Sequence, residues 1–468
     1  MEDVAAYYRD EHVRRRMLEF CGATPGRPPT SAFIAGLGPT TNGYPMWDAV
    51  THRPASALAE CWERGEDISR SLWDAEHLVV LIEIDYENID APSEPFLRPA
   101  SVFFALEPAY RSARRVLQAL GLPLLTLVTG RGYQFVGQVP LAEPVVDRVA
   151  AVAPGLPPWF DSHATRRPAG VTTPLEARTA RAAYGLGLLL EHLAHRLLEA
   201  AAPVSRLPVV LNGTVVGRGL VGRECASIDF SHAGDPLDVR HTRVAFSSYQ
   251  WHRLRPDIFG ARAATAVPPL ATLPRGARPL AGLLSADRDL ARGLREARHG
   301  HATLPDVTAG LDRLCANYAA SPLAAFHAAF HAGRRAGGGR VRPLDPRALP
   351  PCLAASLERP NDLLLKPEHV QHLVRGLLAR GWAAAEIAAL VRAGYEADHG
   401  WGDRWTRMHP ETRADFDVRV FAGLVATGAD GLLDFNCVSA QEKGLCPLTG
   451  CDHDLRADRA RLVGDRSS

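Results

Sequence analysis

Three carboxylates stand where two apolar runs end. Asp85 and Glu87 close the run that begins at His77 (HLVVLIEIDYE), and Asp229 closes Ser227-Ile228-Asp229. Residues two apart on a strand point to the same side, so Asp85 and Glu87 face one pocket and Glu83 continues that face. Carboxylates converging from two strands are the donor set that hard divalent cations take. A pair of such ions clamps both oxygens of a phosphoryl transfer. Acids also end strands without doing chemistry, so the neighbouring segments matter. Thr129-Gly130-Arg131-Gly132-Tyr133-Gln134 lies between two strand-like stretches. Its glycines allow close backbone approach, and its N–H groups and Arg131 suit a phosphate; an ordinary hairpin turn is the bland alternative. A third stretch, Arg243 to Arg253, offers Arg243, Ser248, His252 and Arg253 for triphosphate contacts.

A second set of chemistry-bearing residues is the cysteines. Cys437, Cys446 and Cys451 form Cys-x8-Cys-x4-Cys, and Cys352 follows Pro350-Pro351 well upstream. Four thiolates complement either a tetrahedral zinc ion or a [4Fe–4S] cluster. Zinc ribbons and knuckles usually bring their ligands in close pairs, and this set has none. Cys21, Cys61, Cys225 and Cys315 are isolated and read as small core residues. His327-x3-His331 places two imidazoles on one helix face with no neighbouring acid, which reads as a packed or solvated face. Trp401, Arg404, Trp405, Arg407 and His409 offer base stacking and phosphate contacts, with tryptophan packing as the commoner use of such rings.

The elements that must position these groups are legible in outline. His77 to Asp85 suits a strand buried on both faces. Leu122 to Val139 reads as two strands around Gly130-Arg131-Gly132, with further strands at Arg223–Ser231 and Thr242–Trp251. Helical patterns run over Pro108–Leu120, Pro174–Ala202 and Ser285–His331, then Glu368–Arg380 and Ala383–Asp398 with Gly381 and Trp382 between the last two. The class is α+β. Three units are expected: residues 1–267, a helical and linker region 268–347 with a flexible basic Gly-rich connector from Arg334, and a cysteine-bearing unit 348–468.

Composition sets the outer bounds. The chain has 468 residues, 46% hydrophobic and 22% charged, which is ordinary globular usage. Basic and acidic residues number 53 and 52, for a net charge of +1, so a polycation held to nucleic acid by bulk charge is excluded while a local basic groove is not. Two of the 53 basic residues, Lys366 and Lys443, are lysine and the rest arginine, which removes lysine chemistry from most of the chain. The amino terminus has no apolar signal core, and no segment approaches a membrane span, so a cytoplasmic location is expected. In that reducing compartment, clustered cysteines point to a metal or cluster before a disulfide.

Taken in order, the acids, the loop and the Arg243–Arg253 stretch resemble the catalytic core of the archaeo-eukaryotic primases. That family has an apolar strand ending in Asp-x-Asp or Asp-x-Glu, a Ser-Gly-x-Gly-x-His-like loop, an apolar-Asp motif, and then an arginine and a Ser…His-Lys stretch. The resemblance spans residues 78–255 and implies an RRM-like mixed sheet with flanking helices. It implies Asp85, Glu87 and Asp229 as ligands of Mg2+ or Mn2+. Thr129, Gly130, Arg131, Gly132, Gln134, Arg243, Ser248, His252 and Arg253 become nucleotide contacts. Gln134 departs from the family's loop histidine, and Arg253 replaces its lysine. Pro350-Pro351-Cys352, the helices after it and the closing cysteines resemble the carboxy-terminal domain of the primase large subunit. That resemblance implies one [4Fe–4S] cluster on Cys352, Cys437, Cys446 and Cys451, with zinc as the alternative, although the closing spacings are tighter than the family's. The function implied is template-dependent primer synthesis from nucleoside triphosphates on single-stranded DNA, with a helicase or other replication or repair proteins as partners. The competing readings are a non-catalytic nucleic-acid-binding protein with a degenerate core, and another metal-dependent nuclease or nucleotidyltransferase.

Overall fold

A computed structural model describes residues 2–38, 50–161, 175–213, 223–234, 241–276, 278–337, 341–358, 366–397, 409–446 and 451–464. The organisation is mixed α+β, as expected. The strands are β1 Ile34–Leu37, β2 Val50–Arg53, β3 Asp67–Ser71, β4 His77–Asn88, β5 Leu125–Val128, β6 Gly132–Pro140, β7 Val209–Leu211, β8 Glu224–Asp229, β9 His241–Arg243, β10 Ser248–Tyr249, β11 Leu270–Ala271 and β12 Leu273–Pro274. Six of them form the main sheet in the order β12-β5-β6-β4-β8-β7, antiparallel throughout except for the parallel β7–β8 pair. A smaller antiparallel sheet has the order β2-β1-β3-β9, and β10 pairs with β11. The helices that matter below are α1 Pro99–Leu120, α2 Pro144–Val152, α3 Ala177–Ala201, α4 Thr308–Ala319, α5 Pro322–Gly337, α6 Pro351–Glu358, α7 Pro367–Leu378, α8 Ala384–Glu396, α9 Pro410–Ala426, α10 Cys437–Glu442 and α11 Leu455–Gly464.

Strand β4 is the apolar run read from the sequence, continued to Asn88. It lies inside the main sheet with a partner on each edge, which is why nearly every residue up to Ile84 is buried. Its helix-facing side carries Ile84 next to Tyr133 of β6. There Tyr133 stacks on Tyr110 of α1 at 4.3 Å and meets Phe103 edge-on at 5.5 Å. The other side carries the carboxylates.

Three sequence expectations are corrected. The strand expected over Thr242–Trp251 is two short strands in different sheets. Between them Phe246 takes φ 67° and donates its N–H to Thr272, and a helical turn begins at Trp251. Helix α1 starts at Pro99 rather than Pro108, because proline at the first turn fits a helix start and Pro108 is carried inside the helix. Arg334, expected in a flexible connector, is in the last turn of α5, where its Nε lies 2.8 Å from Asp415. Residues 338–340 of that connector lie outside the described residues.

The cysteine-bearing unit packs on the first part of the chain through α9, and one contiguous core runs from Val4 to Leu462. Glu191 of α3 anchors the junction. It accepts from Arg419 of α9 at 2.8 Å and lies 3.1 Å from His327 of α5, with all three side chains buried. The acid that His327 lacks in sequence is therefore supplied by another helix. Burial opposes ionisation of Glu191, but His327 and Arg419 together hold its carboxyl well below the usual range. Removing one partner of such a pair strands a buried charge. Arg419→Met is expected to lower stability by about 3–5 kcal/mol, read from the urea midpoint. An unchanged midpoint would show that the pair does not anchor the junction.

Candidate functional site

The register of β4 brings the predicted acids together. Glu83 pairs with Asp229 and Asp85 with Ser227 across β4 and β8, so Glu83, Asp85, Glu87 and Asp229 project from one face of the sheet. On the other edge Asp85 pairs with Gly132 and Glu83 with Gln134, which places the loop beside them. Arg131 bridges the acids, with Nη2 at 3.2 Å from Asp85 and Nη1 at 3.2 Å from Glu87. Burial raises the Asp85 carboxyl, Arg131 opposes this, and the nearby Asp229 adds to it. Glu87 is raised in the same way, by burial and then by Asp85 and Asp229 against the pull of Arg131. Carboxylates that resist full ionisation on a shared face favour a cation among them.

Both loop glycines are sterically required. A Cβ on Gly132 would collide with the Ile84 carbonyl and lie 2.8 Å from Asp85 Oδ1, and one on Gly130 would press on the Tyr249 ring at 2.7 Å. Thr129 closes the turn, its Oγ1 accepting from the Gly132 N–H at 3.2 Å and from the Arg131 N–H at 3.4 Å. Gln134 donates its amide to Glu83 on the acid face. An uncharged amide at this position therefore serves a carboxylate directly.

The late stretch divides. Arg243 sits over the Tyr249 ring at 4.3 Å, and its charge acts on Asp85. Ser248 is buried and donates to Asp67 at 2.7 Å, so it does not open to the acid face. His252 turns away altogether. It is buried, stacks on Phe96 at 4.8 Å and donates from Nε2 toward the Val267 and Pro268 carbonyls, and burial lowers its pKa to about 4. Arg253 is exposed on the adjoining turn. Two residues that support this region gave no sequence signal, Asp67 and Tyr8. Asp67, on β3, gathers Arg243, Ser248 and Gln250, and Tyr8 accepts from the Ser248 N–H at 2.7 Å. Both come from segments far from the motifs in sequence.

The four predicted ligand cysteines also converge. Cys352 at the start of α6, Cys437 at the start of α10, Cys446 and Cys451 line one cavity of about 110 Å³ together with Gln441 and His453. Burial pushes the Cys352 thiol up to about 12, and the charges of Cys446, Cys437 and Cys451 add to this. Among the described residues, which include all eight cysteines, there is no disulfide. The loop that carries them is fixed by a charged network: Arg375 bonds Asp430 at 2.7 Å and Asp434 at 3.0 Å, and Lys443 bonds Asp434. This unit abuts the acid-bearing strands. Arg223, just before β8, donates to the Glu442 carbonyl at 2.5 Å, and Cys225 of β8 feels both Glu87 and Asp434. His409 caps α9 through Thr412; Trp401, Arg404, Trp405 and Arg407 lie outside the described residues.

Among the described residues, no three His, Cys, Asp or Glu side chains are gathered tightly enough to hold a single ion. The donor types nevertheless fit. The acid face offers hard oxygens with one cationic side chain already drawn between two of them. The thiols line one common cavity, and four sulfur donors suit either zinc or an iron–sulfur cluster. Among the described residues no helix is long and apolar enough to cross a membrane. No family model matches the chain, and neither a curated protein nor a solved structure matches it.

Asp67→Ala would leave Arg243, Ser248 and Gln250 without their common acceptor. It is expected to cost about 3 kcal/mol or more in urea unfolding, with Asp67→Asn recovering part of the loss because it keeps an acceptor oxygen. Equal midpoints for wild type and Asp67→Ala would overturn this assignment.

Proposed function

We propose that the chain is a template-dependent primase-polymerase, with a primase-type catalytic core and a four-cysteine iron–sulfur unit. The observation that carries this reading is the convergence of Asp85, Glu87 and Asp229 on one sheet face beside the Arg131 loop. The shared cavity of Cys352, Cys437, Cys446 and Cys451 supports it independently. Bound at the three acids, Mg2+ or Mn2+ ions would activate a 3′-hydroxyl and neutralise a leaving pyrophosphate. Arg131, when it leaves the carboxylates, is the group nearest to hand for an incoming triphosphate, and its planar fork matches phosphate oxygens. Arg243, held by Asp67 and Tyr249, supplies a second fixed positive charge near Asp85. Thr129 and Gly132 would shape the turn, their N–H groups being bonded within it, Gly130 would present its backbone N–H, and Gln134 would orient Glu83 rather than touch phosphate. The four cysteines would hold a [4Fe–4S] cluster that fixes α6 against α10 and the following segment. By the family resemblance this unit would help bind the initiating nucleotide and the template, so that two nucleotides meet without a primer.

A second reading, a nucleic-acid-binding protein without synthesis, draws on His252, Ser248 and Gln134, which are all engaged inside the protein.

Anaerobically purified protein and its variants, incubated with unprimed single-stranded DNA, nucleoside triphosphates and Mn2+, separate the two. Wild-type synthesis of short products is expected, with Asp85→Asn reducing it on the order of a thousandfold, equivalent to about 4 kcal/mol of lost transition-state stabilisation. Undiminished synthesis by Asp85→Asn would sink the catalytic assignment, and binding without synthesis by wild type would favour the second reading. Iron analysis of the same preparations tests the other half. Four irons per chain are expected in wild type and a large loss in Cys446→Ser. A colourless wild type with one zinc would overturn the cluster.

A further inference from the structure

The helix side of the main sheet carries a second cleft, and nothing proposed above uses it. It has a volume of about 770 Å³ and is walled by six arginines: Arg111, Arg114, Arg115, Arg206, Arg275 and Arg278. It lies across the sheet from the acids. Tyr133 alternates with Gln134 on β6, so its side chain points the opposite way, and its hydroxyl donates at 3.0 Å to Glu107 in the cleft wall. A ligand here cannot be the one that meets Asp85.

The arginines are only partly neutralised. Arg111 and Arg275 share Glu107, at 3.0 Å and 3.4 Å, and Arg278 pairs with Glu296. Arg114, Arg115 and Arg206 have no carboxylate within ion-pair distance among the described residues. Arg275 is nine-tenths buried, and its Nε has no hydrogen-bond partner. The six come from three separate segments and converge on one cleft. Such convergence suits a compact polyanion, whereas a nucleic-acid strand is tracked by a stripe of charge.

An apolar corner adjoins this charge. Phe104 is 59% exposed and Val204 is 47% exposed, both lining the cleft, with Arg206 poised 4.6 Å over the Phe104 ring. Tyr110, buried and stacked on Tyr133, lines the same cleft with Arg275 over its ring at 5.4 Å. A flat aromatic group stacking beside Phe104 and several phosphates gripped by guanidinium forks would satisfy both halves. The volume falls within the usual range for small-molecule sites, about 300–1,000 Å³.

We propose that this cleft is a second, non-catalytic site for a nucleoside polyphosphate, separate from the acid face. It stands whether or not the acids catalyse synthesis. The test is titration of the full chain with fluorescent N-methylanthraniloyl-ATP in EDTA, which removes metal-dependent binding at the carboxylates. Saturable binding is expected, displaced by inorganic triphosphate and unaffected by the Asp85→Asn/Asp229→Asn double variant. The Arg114→Ala/Arg115→Ala/Arg206→Ala variant is expected to weaken it by at least about tenfold, the loss of one charge-assisted contact or more. Arg206→Glu alone serves as a second variant, and thermal melts confirm that both are folded. No binding in EDTA, or binding that the arginine variants leave intact, would overturn the site. Displacement by a short oligodeoxythymidylate but not by triphosphate would overturn the nucleotide in favour of a strand.

Discussion

The pairing of β4 on both edges is the constraint from which the site follows. A one-residue slip would turn Glu83, Asp85 and Glu87 toward Phe103, Tyr110 and Tyr133, and bring Ile84 and Tyr86 to the other side. Three carboxylates cannot be buried among aromatic rings without partners, so the register is specified by a penalty of many kcal/mol as well as by its own hydrogen bonds. With β4 fixed, β6 must bring Gly132 and Gln134 alongside Asp85 and Glu83, and β8 must bring Asp229. The Arg131 guanidinium then reaches two carboxylates from a turn that only glycines on either side of it allow.

Burying charge is a recurring device in this chain, and arginine serves it almost throughout. Arg131 with Asp85 and Glu87, Arg243 with Asp67, Arg375 with Asp430 and Asp434, and Arg419 with Glu191 are each set into largely enclosed ground. Ion pairs of this kind contribute little net stability, because desolvation offsets much of the attraction. What they do is fix geometry: a planar fork holding two carboxylate oxygens tolerates little rotation. Each sits at a joint: between loop and strand, between neighbouring strands β3 and β9, between α7 and the cysteine loop, and between α3 and α9. Lys443, one of two lysines in the chain, is the exception, bonding Asp434 beside Arg375.

The parts of the site legible in the sequence were those whose signal is local. A continuous apolar run, two strands around Gly-Arg-Gly, and acids spaced by two are read without knowing the fold, and they lie where the periodicity places them. Cys352 was legible despite its distance because Pro350-Pro351-Cys352 resembles the opening of a unit that the last three cysteines close. Asp67 and Tyr8 were not, since β3 and the amino-terminal segment at Tyr8 meet the site only through tertiary packing. His252 misled for the same reason. Its residue type suits a phosphate, but it lies buried in the helical turn starting at Trp251, stacked on the ring of Phe96. His327, read as part of a packed or solvated face, is packed, and the helix packing supplies the acid that its sequence neighbourhood lacks, Glu191.

A net charge of +1 hides a division of fields across one sheet. On one side four acidic side chains from β4 and β8 face Arg131 and Arg243; on the other, arginines of α1, the segment after α3 and the segment after β12 face one another across a cleft. Water and salt screen the exposed charges of the two faces from each other beyond a Debye length, about 8–10 Å, while the low-dielectric sheet between them screens little. β8 carries the division further, with Asp229 at one end and Cys225 at the other, where the charges of Glu87 and Asp434 both act. Near-neutral composition is what such a molecule shows when opposite local charges are of similar size, and it carries no information on whether either face binds a polyanion.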